Sequence, residues 1–183
     1  MHAMIWAPPG QFVVDTPSAV AVDLGCRYTL EVKPDGSSVL RVEAGWVGFE
    51  HAGVRSLVPA AAVSDTRPGQ APGTPHFEDA STSFSAALDV IDFGGSLEAR
   101  RAALDTIIGE ARPRDAISLW HLLSRVDGDA RARVYDRLAS LVPPPAGLSR
   151  DGVLAGDREM LDAWWDELGL GSSEMWRAFT ARW

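Results

Sequence analysis

Lysine is nearly missing from this chain: Lys33 is the sole lysine, and arginine supplies the rest of the seventeen basic residues. No basic tract offsets the twenty-five acids, so the net charge is −8 over 183 residues. The deficit is even, since residues 1–80 carry nine acids against five bases and the remainder carries sixteen against twelve. Neutralising phosphate needs clustered Lys or Arg, so nucleic acid and anionic membrane surfaces are excluded as expected partners. Cysteine is limited to Cys26, which rules out an intramolecular disulfide and leaves the compartment undecided. No apolar run approaches the ~20 residues of a membrane-crossing helix. The opening residues form neither a basic n-region nor an apolar h-region, so the chain as given holds no export signal. Gly-x-Gly-x-x-Gly, phosphate-loop, Gly-x-Ser-x-Gly and metalloprotease patterns are all missing, which argues against the common enzyme classes.

What is present begins with alternation. Apolar residues recur at every second position at Val20, Val22 and Leu24, at Tyr28, Leu30 and Val32, and at Leu40 and Val42. This is the period of strands buried on one face. Strands are expected over 11–15, 19–23, 27–33, 38–44, 46–50, 54–59 and 61–65, with Gly25, Gly36 and Gly45 at the junctions. Strands spaced this closely suit a sandwich, a jelly roll or a short β-helical stack.

Residues 65–75 hold three prolines and two glycines, which neither a ladder nor a helix sustains. A boundary is expected there, giving a β domain over 1–66, a Pro/Gly-rich linker over 67–80 and a helical domain over 81–183. From Ser81 onward the apolar period becomes 3.6. Helices are expected over 83–91, 97–110 with Ser96 as N-cap, 113–126 with Pro113 at the first position, 130–142, 157–168 and 174–182. Leu97, Leu104, Ile108 and Ala111 share one face, as do Val134, Leu138 and Leu141. Short joints imply antiparallel α-hairpins. The expected class is therefore α+β, an all-β module followed by a bundle of α-hairpins.

Thr16, Pro17, Ala19, Val20, Val22, Leu24 and Gly25, followed by Val42, Gly45, Val47 and Phe49, carry a pattern that resembles the FecR domain. That domain is the extracytoplasmic sensor module of cell-surface signalling anti-sigma regulators. The resemblance covers residues 12–63. Cys26 stands where the family usually has threonine, and the glycine of the family's closing turn is replaced within Pro59-Ala60-Ala61. The resemblance implies a jelly roll or short β-helical stack, and a non-catalytic signalling or interaction module without a cofactor. It also implies protein partners among transporter or sigma-regulatory components. Such regulators place a cytoplasmic segment and one membrane span before the sensor. The chain is accordingly expected to be a soluble fragment, periplasmic if its parent is membrane-anchored and cytoplasmic otherwise.

The alternative is a metal-dependent hydrolase of phosphate or carboxylate esters. His51 follows Glu50 at a strand end, and His76 opens the run His76-Phe77-Glu78-Asp79. His51, His76, Glu78 and Asp79 would together hold a divalent metal, Zn or Mn, that lowers the pKa of bound water. No short repeated ligand spacing supports this, and loop histidines among solvated acids explain the same letters. Cys26 has no neighbouring histidine to generate thiolate and reads as a small buried side chain. His121, next to Trp120 in an apolar helical stretch, reads as a hydrogen-bonded core or groove histidine. Trp164 and Trp165 point about 100° apart on a helix, so one of them would face a partner, as would Trp176; tryptophans that cement helix packing are the competing reading.

Overall fold

A computed structural model describes residues 2–6, 13–15, 18–23, 26–51 and 53–173. Among the described residues strands come first and helices follow: β1 (His2–Trp6), β2 (Val13–Asp15), β3 (Val20–Asp23), β4 (Arg27–Val32), β5 (Ser38–Ala44), β6 (Trp46–His51), β7 (Val54–Pro59), β8 (Ala62–Thr66) and β9 (His76–Phe77), then six α-helices. One sheet has the order β1-β4-β5-β8-β9 and the other β2-β3-β6-β7.

Alternation explains the local structure. In β4, Tyr28 and Leu30 are buried while Arg27 and Glu31 face out; in β5, Ser38, Leu40 and Val42 are buried. Register sets Tyr28 opposite Val42 and Leu30 opposite Leu40, so the inward faces match. The hairpin between them turns at Pro34-Asp35-Gly36. Gly36 adopts φ 84°, and Asp35 accepts from the Ser37 N–H at 2.9 Å and the Ser37 hydroxyl at 2.6 Å. Leu30 and Leu40 of one sheet share a core with Val47, Phe49 and Leu57 of the other. Burying such side chains contributes roughly 1.5–3 kcal/mol each.

The expected jelly roll or short β-helical stack is not what forms. Every strand pairing among the described residues is antiparallel, which rules out the parallel coils of a β-helix. The chain also delivers its hairpins to the two sheets in turn, β2-β3 and β6-β7 to one and β4-β5 to the other. A jelly roll needs Greek-key returns instead. Period-two burial specifies which side chains face inward but is the same for every two-sheet topology, so it does not select among them.

The helices are α1 (Thr82–Phe93), α2 (Leu97–Glu110), α3 (Ala116–Leu123, preceded by a 3-10 turn over Pro113–Asp115), α4 (Gly128–Leu141), α5 (Arg150–Leu154) and α6 (Arg158–Glu167). Ser81 and Ser96 cap α1 and α2, each accepting at 3.1 Å from the backbone N–H three residues on. Asp157 caps α6. The apolar faces of α1–α4 enclose Phe84, Leu88, Leu104, Ile107, Leu122, Val134 and Leu138. Leu97 lies off this core at 68% exposure, and Ile107 is more deeply buried than Ile108. The expected helix over 174–182 lies outside the described residues.

Where the sequence suggests a linker, Pro72, Gly73, Thr74 and Pro75 are all buried. Gly73 N–H donates to Asp65 O at 2.7 Å, β9 pairs with β8, and the Ser118 hydroxyl of α3 donates to Pro75 O at 2.7 Å. Ile117 of α3 and Trp165 of α6 complete the sandwich core. Sheets and helices therefore meet across a packed junction.

Candidate functional site

The four residues proposed as metal ligands do not come together. His51 ends β6 in the four-stranded sheet, whereas His76 lies on β9 at the edge of the other. Glu78 is exposed. Asp79 is taken up by arginines, accepting from Arg112 Nη2 at 3.0 Å and Arg114 Nη1 at 2.5 Å; hydrogen bonding from Arg112 holds its carboxyl below the usual range. Among the described residues no three His, Cys, Asp or Glu side chains are placed to share an ion.

Burial favours the packing reading of the tryptophans. Trp164 and Trp165 have no exposed surface. Trp164 donates its indole N–H to Val142 O at 3.2 Å and packs edge-on to Tyr135. Trp165 donates to Gly171 O at 3.0 Å and lies against Trp120 and Trp46, at centroid distances of 4.8 and 5.5 Å. Consecutive residues thus plug two different cores, and neither presents a ring to a partner. Trp176 lies outside the described residues.

A buried polar cluster sits at the junction. Arg125, just beyond α3, donates from Nη1 to Pro72 O at 2.6 Å and to Asp92 Oδ1 at 3.0 Å, and from Nη2 to the Ser56 hydroxyl at 2.7 Å. Asp92 of α1 also accepts the Thr74 N–H at 2.5 Å and the Thr74 hydroxyl at 2.9 Å. Ser56 and Ser64 both donate to Gly73 O at 2.8 Å. One turn back from Arg125, His121 accepts the Leu57 N–H through Nε2. Burial and the Arg125 charge push the His121 pKa down to about 3. With both ring nitrogens engaged and almost no solvent contact, this imidazole is a structural connector, not a general base. Asp92, Arg125 and Ser56 carry no local sequence signal, because their meeting depends on contacts 33 and 69 residues apart.

A second arrangement lines a surface cleft of about 330 Å³ formed by Asp79, Ser81, Phe84, Glu110, Arg112 and Asp115. Here the Arg112 fork donates to Asp115 from Nε at 2.7 Å and from Nη2 at 2.9 Å. Glu110 accepts from the Ser81 and Ser83 hydroxyls, which hold its carboxyl below the usual range and make it a weak base. The carboxylates here are bound to arginine or serine, and no imidazole stands beside the serines to activate them.

No protein-family model, curated protein or solved structure matches the chain.

Proposed function

We propose that this chain is a non-catalytic signalling or interaction module, the soluble sensor fragment of a FecR-like anti-sigma regulator acting in the periplasm. The observation that carries this reading is Ala61. Its backbone is left-handed at φ 63°, the sole non-glycine with positive φ among the described residues. This conformation is costly for a side chain bearing Cβ and natural for glycine. It falls in the turn where the FecR pattern ends in glycine, so alanine here holds a backbone that glycine would adopt without cost, which supports the reading. Val20, Val22, Val47 and Phe49 of the same pattern lie on the paired strands β3 and β6, and Val42 lies on β5 of the other sheet. The buried ionisable groups at the junction are spent on cross-links, which suits a module that relays contacts.

The test is retention of the plug domain of the cognate transporter by the immobilised chain at micromolar concentration. Retention that a denatured control lacks is the expected result. Failure of the folded chain to retain it overturns the reading.

A further inference from the structure

Two apolar cores meet at α3. Ile117 belongs to the sandwich core, whereas Leu119, Leu122 and Leu123 belong to the helical one. The polar ties converge on the same helix. β7 is an outer strand of its sheet, so the Leu57 N–H has no strand to receive it, and His121 supplies the acceptor at 3.0 Å. The neighbouring residue, Ser56, receives Arg125, which in turn holds Asp92 of α1. The Arg125 and Asp92 side chains are only 10% and 4% exposed. Gly73 and Thr74 lie within the cluster, bound to Ser56 and Ser64 on one side and to Asp92 on the other.

We infer that this cluster is a conformational latch that makes the sandwich and the helices one mechanical unit, so that a displacement of β7 or of residues 72–75 loosens α1 and α3. The reasoning is that a buried ion pair does not stretch gradually. Removing one partner strands the other charge away from water, so the pair is either made or broken along with the packing around it. A contact that shifts β7 by a bond length would withdraw the Ser56 hydroxyl from Arg125 and the Leu57 N–H from His121 together. The helices would then lose two anchors of α3 and, through Asp92, the end of α1. The inference goes beyond the signalling reading and does not depend on it, since it concerns coupling within the chain whatever the partner.

Amide hydrogen exchange on the full chain tests it. Ser56→Ala removes one hydroxyl from β7. It is expected to speed exchange about tenfold in α1 and α3 as well as in β7 and β8. Acceleration confined to β7 and β8, with α1 and α3 at wild-type rates, overturns the latch. The cycle is then closed in an Asp92→Leu/Arg125→Met background, which replaces the ion pair by apolar side chains. There Ser56→Ala should no longer reach α1, and an effect on α1 equal in both backgrounds overturns the proposal. Should that background fail to fold, Thr74→Val provides the second comparison: it removes the hydroxyl bond and leaves Asp92 with the residue 74 N–H and Arg125. Exchange should then speed in α1 as well as around residues 72–75, and acceleration that stops short of α1 overturns the latch.

Discussion

The ring of His121 accepts the Leu57 N–H at Nε2, 3.0 Å away, while Nδ1–H donates to Ile117 O at 2.8 Å. This pairing needs a neutral imidazole with its proton on Nδ1, because a protonated Nε2 would confront a backbone donor. A histidine thus closes the edge of a sheet.

Acid should weaken the fold through this residue. Its folded pKa is about 3, against ~6.5 for a free histidine. Below pH 6.5 the unfolded chain takes up a proton that the folded chain refuses, so stability is lost as pH falls from 6.5 toward 3 and is untouched above 6.5. Urea unfolding should show a drop of about 2 kcal/mol from pH 7 to pH 5. In His121→Gln, whose amide oxygen can still accept from Leu57, that pH dependence should flatten. A wild-type curve that stays level over this range contradicts the assignment.

Ala61 sits at φ 63° between β7 and β8, its N–H donating to Val42 O at 2.8 Å and its carbonyl accepting from Glu78 at 3.0 Å. Left-handed geometry costs an L-residue roughly 1–2 kcal/mol, and glycine removes that cost while adding a smaller loss of unfolded-state entropy. Ala61→Gly should therefore raise stability by about 0.5–1 kcal/mol, read as a higher melting temperature.

Gly73 and Gly109 make a matched pair of opposite sign. A Cβ on Gly73 would meet Phe93 Cζ at 3.0 Å and Asp65 O at 3.1 Å, whereas one on Gly109 meets nothing within 4 Å. Gly73→Ala should cost about 1–3 kcal/mol by crowding backbone that cannot give way. Gly109→Ala, in the last turn of α2, should instead stabilise by up to about 1 kcal/mol. Chemical denaturation of the two variants distinguishes the cases.

Arg112 bonds Asp115, whose side chain is only 2% exposed. Arg112→Ala leaves that carboxylate with the backbone N–H of residue 112 and should destabilise by about 2 kcal/mol, the half-exposure of the arginine moderating the loss. Arg112→Lys should recover only part, because an ammonium does not make the planar fork. Full recovery in thermal melts would show that charge alone suffices.

Strands β4 and β5 were legible because each buries one face, and alternation at Tyr28, Leu30, Leu40 and Val42 reports that directly; β6, β7 and β8 bury consecutive residues and were legible from the turn residues between them. β9 escaped because His76-Phe77 is two residues long and embedded in a proline-rich run. That run was misleading for the same reason: Pro72 and Pro75 forbid a ladder but not burial, and their carbonyls are held by Arg125 and Ser118. Leu97 follows a helical period yet lies in the first turn of α2, off the core. The metal reading rested on letters near in sequence, whereas His51 and His76 are set in different sheets by a topology that no local pattern encodes.

Trp164 and Trp165 give the sharpest test of how the two cores are joined. Facing apart on α6, Trp164 packs on Tyr135 in the helical core and Trp165 on Trp46 and Trp120 in the sandwich core. Truncating either to alanine should cost about 3–5 kcal/mol, since each leaves a large void in a fully buried site. If the cores were separate folding units, Trp165→Ala would melt the sandwich and leave the helices standing, giving a first transition without loss of helical circular dichroism. Because α3 and the Arg125–Asp92 pair bind the cores together, each variant should instead show a single transition at a lowered temperature, with helical ellipticity and tryptophan fluorescence changing in step. Two resolved transitions in Trp165→Ala would show that α6 inserts into the sandwich without binding it to the helices.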